Sequence, residues 1–179
     1  MKISIITINY NNCEGLRRTI ESVVNQTCRD FEYIIIDGGS TDGSVDVIKR
    51  YADNIDYWVS EPDKGIYNAM NKGVAVAKGE YCLFMNSGDC LYNELVIEET
   101  GHQLHDDDII TGKVLYDNGR IFSCPDAITL DFFNNSSLHH QGSFIKTSLQ
   151  NKYPYREDFK ISADKFFFVN VLIFKDASY

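Results

Sequence analysis

The sequence predicts an α/β fold in which a mainly parallel central sheet is flanked by helices. Three short apolar stretches carry this prediction, at residues 3–8, 31–36 and 81–85, and none of them alternates polar with apolar residues. Continuous apolar runs of this length are typical of strands that are buried on both faces. Segments with helical periodicity separate the runs, and strands that alternate with helices favour a parallel sheet.

The first half of the chain supplies most of these elements. In chain order they are a strand at 3–8, a helix at 14–25, a strand at 31–36, a helix ending near residue 51, a strand at 57–60, a helix at 66–78 and a strand at 81–85. Asn12 is placed to cap the first helix, and Gly79 ends the third. Because ligands bind at the carboxyl ends of parallel strands, the turns after these strands should meet at one crevice.

The second half has a different character. Its predicted elements are a helix at 93–104, an acidic loop at 106–108, strands at 109–116 and 120–124 around a turn at 117–119, a strand at 142–146 and a helix after Ser162. No linker separates the halves, so we expect one domain over residues 1–179. Residues 1–90 form its nucleotide-binding half and residues 91–179 an acceptor-side half, for which a C-terminal truncation stays open.

Composition narrows the class of protein. The chain has 179 residues and a formal net charge of −9, which suits one globular domain and argues against nucleic acid as a partner. A phosphorylated small molecule stays compatible if a metal ion supplies positive charge. The five cysteines show no CxxC spacing, so we expect free thiols in a reducing compartment.

The sequence shows no pattern typical of a signal peptide or of a membrane span. It opens directly into the first predicted strand rather than into a signal peptide, and no apolar run approaches the ~20 residues of a membrane span. We therefore expect a cytoplasmic protein, with docking at the inner face of the plasma membrane left open.

Three ordered segments resemble the inverting glycosyltransferases of family 2, which have the GT-A fold. They lie at residues 4–12, 35–44 and 65–89 and include Asp37-Gly38-Gly39-Ser40 and Asn86-Ser87-Gly88-Asp89. The resemblance covers about residues 2–175 and implies transfer of a sugar from a nucleotide-diphosphate sugar, with UDP-sugar as the expected donor. The implied acceptor is a hydroxyl of a saccharide or of a lipid-linked saccharide, in synthesis of bacterial cell-envelope polysaccharide.

The segment Asn86-Ser87-Gly88-Asp89 stands where the family has its DxD-like metal motif. The resemblance implies that Asp89 binds Mg²⁺ or Mn²⁺, which prefer carboxylate and phosphate oxygens, and that Asn86 and Ser87 contact the donor. Asn86 and Gly88 occupy positions where Asp is common, so metal affinity is expected to be weaker. The alternative is a turn that only caps the next helix.

Further donor contacts follow from the same resemblance. They are Thr7, Asn9, Tyr10, Asp37, Asp63 and Asn71. Asp37 would accept hydrogen bonds from the base or ribose, and Tyr10 would stack on the base. The alternatives are helix capping for Asp37 and Asp63, and ordinary packing for Tyr10.

Asp164 opens the late helix and resembles the acid of the family that deprotonates the acceptor hydroxyl. A single carboxylate suffices for an inverting transfer, although an Asp in the first turn of a helix is also common for purely electrostatic reasons. His139 and His140 are expected near the acceptor. Adjacent residues on an extended segment point to opposite sides, so they should not share one metal ion.

Two other functions stay open at this point. A sugar-nucleotide pyrophosphorylase would need a basic, Gly-rich loop after the first strand, where this sequence has Asn9-Tyr10-Asn11-Asn12. A truncated or degenerate module that binds nucleotide sugar without transferring it would instead keep the donor residues and lack turnover. Donor binding without transfer separates this module from an active enzyme.

Overall fold

The computed structural model describes residues 2–104 and 106–179. Its strands are β1 (Ile3–Asn9), β2 (Phe31–Asp37), β3 (Tyr57–Ser60), β4 (Tyr81–Asn86), β5 (Ile109–Thr111), β6 (Val114–Leu115), β7 (Ile121–Phe122) and β8 (Ser143–Lys146). Its α-helices are α1 (Cys13–Val24), α2 (Ser44–Arg50), α3 (Ile66–Val76), α4 (Val96–Gly101), α5 (Leu130–Asn135), α6 (Thr147–Lys152) and α7 (Ala163–Phe174). Short 3₁₀ turns occupy Ala52–Asn54 and His140–Gly142.

Six of the strands form the central sheet, in the order β3-β2-β1-β4-β8-β5, while β6 and β7 pair in a separate hairpin. The pairs β1–β2, β2–β3 and β1–β4 are parallel. β8 is antiparallel to both of its neighbours. The predicted α/β class with a mainly parallel sheet is therefore confirmed. The reversed direction of β8 brings the His140–Gly142 turn back to the carboxyl end of β4.

Helices cover both faces of this sheet. On β1, Ile6 and Ile8 pack toward α3 and α7, whereas Ile3 and Ile5 pack toward α1 and α2. Successive side chains of a strand point to opposite faces, so an all-apolar strand can serve both cores at once. α3 can lie very close to β1 because residue 73 is a glycine. A Cβ atom at that position would come within 2.4 Å of Ile6 Cγ2.

The register aligns the strand ends that matter for the site. Asn9 lies opposite Asp37, and Asp37 lies opposite Ser60. On the other side of β1, Ile8 lies opposite Asn86. The polar residues that end four neighbouring strands thus form one row at one edge of the sheet.

The second half departs from its predicted elements. The predicted helix at 93–104 is shorter, because the Asn93 side chain accepts from Leu95 N and holds residues 93–95 in a turn. The predicted strand at 109–116 breaks after Thr111, where Gly112 N donates instead to Gly142 O. Helices α5 and α6 were not predicted, because at six residues each they are too short to show a helical period.

Candidate active site

A pocket of about 570 Å³ opens at the carboxyl ends of β1, β2 and β4, beside the first turn of α3. Its walls come from the turns that follow these three strands and from the segment that leads into α3. The lining includes Tyr10, Asn12, Gly38, Asp63, Asn86 and Ser87. The prediction that the three turns meet at one crevice is confirmed.

One end of the pocket combines an aromatic ring with a carboxylate. Tyr10 is 68% exposed, and a Cβ atom on Gly38 would lie 3.2 Å from its Cδ2 atom. The same Cβ atom would lie 2.7 Å from Asp63 Oδ2, so the absence of a side chain at position 38 makes room for Asp63. Asp63 Oδ1 accepts from Gly65 N at 2.7 Å. Its Oδ2 atom has no hydrogen-bond partner within residues 2–104 and 106–179 and is available to a ligand.

Asp37 lies beneath this end of the pocket and is completely buried. Asn9 Nδ2 and Ser40 Oγ each donate to its Oδ1 atom at 2.6 Å. Ser60 Oγ at 2.6 Å and Ser40 N at 2.9 Å donate to Oδ2. Burial acts to raise the pKa of Asp37, but these four hydrogen bonds outweigh burial and lower the pKa. The carboxylate is therefore charged, paired on both oxygens and turned away from the pocket.

The turns after β1 and β4 are clamped together at the other end. Asn12 accepts from Gly15 N as the N-cap of α1 and donates through Nδ2 to Ser87 O at 2.8 Å. Ser87 Oγ is 2.7 Å from Asn9 Oδ1 and donates to it. Because both turns are fixed to the same strand end, Asn86 and Ser87 hold a defined position beside the pocket.

The turn from Asn86 to Asp89 is the expected metal site. Asp89 Oδ2 accepts from Asn86 N at 2.8 Å, while Asn86 Oδ1 is buried without a hydrogen-bond partner in the described part of the chain. No three His, Cys, Asp or Glu side chains cluster around an ion position among residues 2–104 and 106–179. One carboxylate and one unpaired amide oxygen fit a hard cation that takes its other ligands from phosphate and water. They do not form a cage made of protein atoms alone.

A chain of hydrogen bonds joins this turn to the late helix. His140 Nδ1 lies 3.0 Å from Asp164 Oδ2, and His140 Nε2 lies 3.3 Å from Asn86 Nδ2. Since Asn86 N in turn donates to Asp89, two residues link the carboxylates of Asp164 and Asp89. The two acids that the sequence analysis singled out, 75 positions apart in the chain, thus belong to one connected site.

Asp164 sits in the first turn of α7 with its side chain 20% exposed. Tyr67 Oη donates to Oδ1 at 3.1 Å, opposite the contact of His140 with Oδ2. Burial acts to raise the pKa of Asp164, but hydrogen bonds from His140, from the backbone N–H of Lys165 and from Tyr67 outweigh burial and lower the pKa. The carboxylate is therefore ionised at neutral pH, oriented from two sides and still open to a third group.

The family model for glycosyl transferase family 2 matches residues 4–173. The chain belongs to glycosyl transferase family 2. An uncharacterized glycosyltransferase of Mycobacterium tuberculosis is 32% identical to it, over 96% of this chain and 69% of that protein. A PGL/p-HBAD biosynthesis glycosyltransferase of Mycobacterium bovis is 30% identical, over 90% of this chain and 66% of that protein.

Solved structures of glycosyltransferases share the fold. TarS of S. aureus in complex with UDP superposes with a TM-score of 0.76 at 22% identity, over 93% of this chain and 54% of that one. The mannosyltransferase PcManGT of Pyrobaculum calidifontis, in complex with GDP-Man and Mn²⁺, gives a TM-score of 0.72 at 18% identity, over 92% and 49% of the two chains. The family-2 chain therefore has the GT-A fold and spans about half the length of these solved chains.

Within residues 2–104 and 106–179, no helix combines the length and the apolar character that crossing a bilayer requires.

Three of the predicted donor residues lie outside the pocket lining: Asp37, described above, Thr7 and Asn71. Thr7 is fully buried on the α1 side of the sheet, where its Oγ1 atom is 3.0 Å from Tyr33 Oη. Asn71 holds a distant loop by donating to Tyr155 O at 2.8 Å and accepting from Tyr155 N at 3.0 Å. Thr7 lies two residues before the end of β1 and contacts Tyr33 in the interior, so it does not reach the strand-end pocket that the resemblance implied for it. The side chains of Asp37, Thr7 and Asn71 therefore support the family-2 site without lining its pocket.

The two histidines separate as expected. His139 Nε2 is 2.6 Å from Tyr116 Oη, and its ring packs edge-on against Phe122 of the β6–β7 hairpin. His140 faces Asp164 instead. Burial lowers the pKa of His139, which favours its neutral form.

The sequence analysis missed two members of this family-2 site. Tyr67 lies in the third resembling segment, residues 65–89, but nothing in the sequence pairs it with Asp164, which follows 97 residues later. Asn12 was recognised as a helix cap, and its second contact with Ser87 depends on the tertiary structure.

Proposed function

We propose that this chain is the transferase domain of an inverting enzyme that moves a sugar from a nucleotide-diphosphate sugar to a hydroxyl of a saccharide acceptor. The observation that carries the proposal is the hydrogen-bonded chain from Asp89 through Asn86 and His140 to Asp164. It joins an acid suited to the donor diphosphate with an ionised acid suited to the acceptor.

The donor would occupy the pocket at the strand ends. Its base would stack on Tyr10, and Asp63 Oδ2 would accept from an N–H group of the base or from a ribose hydroxyl. Asn9 and the Asn86–Ser87 turn would border the diphosphate. UDP-sugar is the donor we propose, since a free carboxylate oxygen suits the imide N–H of uracil and the TarS structures of similar fold contain UDP and UDP-GlcNAc.

A divalent cation, Mg²⁺ or Mn²⁺, would be held by Asp89 and by the unpaired Asn86 Oδ1 together with phosphate oxygens. When bound, it would offset the negative charge of the departing diphosphate. The distant relative of the same fold that contains Mn²⁺ supports this proposal.

Asp164 would act as the general base. Its carboxylate takes the proton of the acceptor hydroxyl as that oxygen bonds to the anomeric carbon and the bond from carbon to the diphosphate oxygen breaks, leaving its electron pair on the diphosphate. Attack opposite the leaving group inverts the configuration. A weak base suffices if bond breaking runs ahead of proton transfer, as in transition states of oxocarbenium character.

The acceptor we propose is a saccharide or a lipid-linked saccharide of the bacterial cell envelope. The relative named for PGL/p-HBAD biosynthesis supports an acceptor of this general kind. We also propose that the protein is cytoplasmic and docks at the inner face of the plasma membrane.

A panel of UDP-, GDP-, dTDP- and CDP-sugars, each with Mn²⁺ and with EDTA, tests the proposal by thermal shift and by release of nucleoside diphosphate. We expect the largest stabilisation with a UDP-sugar and Mn²⁺, together with turnover once an acceptor is present. Asp89→Ala should remove the Mn²⁺-dependent part of the shift.

Two results would count against this function. Absence of a shift with all four nucleotide classes would contradict donor binding at the pocket. A UDP-sugar shift without hydrolysis or transfer to any saccharide acceptor would favour the alternative, a degenerate module that binds the donor only.

A further inference from the structure

His140 stands between the two halves of the site and touches both. It reaches this position because β8 runs antiparallel to β4, which returns the His140–Gly142 turn to the end of β4. The side chain is only 9% exposed, and both of its ring nitrogens face protein groups. A buried imidazole with two directed contacts has one orientation, so it can fix the orientation of its partners.

The chemistry of the partners determines which nitrogen carries the proton. An ionised carboxylate only accepts, so His140 Nδ1 must donate to Asp164 Oδ2 across 3.0 Å. Nε2 is then free to accept from Asn86 Nδ2 at 3.3 Å. An imidazole with its proton on Nδ1 and a lone pair on Nε2 satisfies both contacts at once.

The arrangement around Asp164 leaves room for a substrate. Tyr67 holds one carboxylate oxygen and His140 the other, which removes the freedom of the carboxylate to rotate. Tyr67, His140 and the backbone N–H of Lys165 leave part of the acceptor capacity of the carboxylate open, and the side chain stays partly exposed. A base fixed in this way can meet an acceptor hydroxyl without a prior search for the productive rotamer.

We propose that His140 is a positioning residue for the transfer: it orients the Asp164 carboxylate through Nδ1 while Asn86, in the donor turn, holds the imidazole through Nε2. His140 acts through Asp164 and does not contact the substrate. The inference rests on the proposed function, because it presupposes that Asp164 is the base.

The test compares three substitutions in steady-state transfer assays with saturating acceptor. His140→Ala should lower kcat about a hundredfold, the scale expected when a reacting group is misplaced by about 1 Å, and leave KM for the donor nearly unchanged. His140→Asn can place an amide N–H near the position of Nδ1 and should recover most of the lost kcat. His140→Gln reaches toward the position of Nε2 instead and should not.

His139→Ala is the matched control for packing. It removes an imidazole from the adjacent position, where the partners are Tyr116 and Phe122 rather than Asp164. Rescue by Asn but not by Gln is a pattern that loss of packing would not produce. Should His140→Ala fail to fold, the difference in kcat between the Asn and Gln variants still tests whether His140 positions Asp164 through Nδ1.

Three results would overturn the inference: a wild-type kcat in His140→Ala, equal rescue by Gln and Asn, or an effect confined to the donor KM. Asp164→Asn separates these results from failure of the proposed function. If that variant transfers sugar at the wild-type rate, Asp164 is not the base, and the inference about His140 falls while sugar transfer itself stands. If the wild-type protein transfers no sugar, the proposed function falls. If Asp164→Asn is inactive while His140→Ala behaves like wild type, only the role of His140 falls.

Discussion

Asp37 and Asp164 are two partly or fully buried carboxylates near the same edge of the sheet, and they are built for different purposes. Asp37 has no exposed surface and takes four hydrogen bonds. Asp164 takes hydrogen bonds from the side chains of Tyr67 and His140 and from the backbone N–H of Lys165, and it keeps part of its surface open. The difference teaches that the number of hydrogen bonds a buried carboxylate accepts from the protein indicates its role. A fully paired carboxylate holds loops together, whereas one with an open acceptor position can take a proton.

The wider surroundings repeat this contrast. The side chains of Asn9, Ser40 and Ser60 all donate to the Asp37 carboxylate, so this cluster leaves no carboxylate oxygen open to a ligand. The cluster at Asp164 ends at Asn86 Oδ1, a buried oxygen for which residues 2–104 and 106–179 offer no partner. Because an unpaired buried oxygen costs free energy, a bound cation or water at Asn86 Oδ1 would stabilise this cluster.

The largest effect on stability is expected from Asp37→Ala. The change strands donors on Asn9, Ser40 and Ser60 in a buried position, and we expect the free energy of unfolding to fall by about 3 kcal/mol. For a domain of this size that corresponds to a drop in Tm of roughly 6–12 °C. Urea titration followed by circular dichroism measures it.

Asp42→Ala is the control for that change, since Asp42 is an exposed acid in the same turn that accepts from Ser44 and Cys13. Its loss of stability should be clearly smaller. The pKa of Asp37 is lowered in the folded protein, so its contribution is present above the unfolded pKa and is lost as the pH falls through the folded pKa. The gap between wild type and Asp37→Ala should therefore narrow in acid; a constant gap at every pH would contradict this account of Asp37.

A smaller effect is expected from Tyr67→Phe, which alters the open carboxylate rather than the closed one. Loss of the hydroxyl removes a hydrogen bond that lowers the pKa of Asp164, while burial, which raises the pKa, remains. The pKa of Asp164 should rise. The acidic limb of the pH profile of kcat/KM should then move to higher pH, because the base becomes protonated sooner as the pH falls.

Tyr155→Phe provides the comparison, because Tyr155 packs its ring against Tyr67 and its buried hydroxyl has no partner in the described residues. That substitution should leave the acidic limb in place. An equal movement of the limb in both variants, or none in Tyr67→Phe, would remove Tyr67 from the account of Asp164.

Much of the fold was available from the sequence. β1 to β4 are short apolar runs bounded by turn residues, and their local pattern agrees with their tertiary surroundings. The second half was less accessible. β5, β6 and β7 have only two or three residues each, and tertiary contacts such as the one between Gly112 and Gly142 decide where they end.

The candidate site likewise has a part that the sequence predicted and a part that it could not predict. The ordered motifs pointed to Asp89 and Asp164, and parallel strands explain why the turns that follow them meet. The sequence could not reveal that the Asp37 side chain is fully paired or that Thr7 faces α1, because both depend on partners from distant segments. It also left the role of His140 open. Only the antiparallel return of β8 brings that side chain to Asp164.

The measurement that tests the central claim most directly is donor binding and sugar transfer by Asp164→Asn, compared side by side with wild type. The account predicts that calorimetry finds a wild-type Kd for the UDP-sugar with Mn²⁺, while transfer falls by about a hundredfold to ten-thousandfold, the usual contribution of a general base. Loss of donor binding in this variant, or transfer at the wild-type rate, would contradict the separation of the donor acid from the acceptor acid.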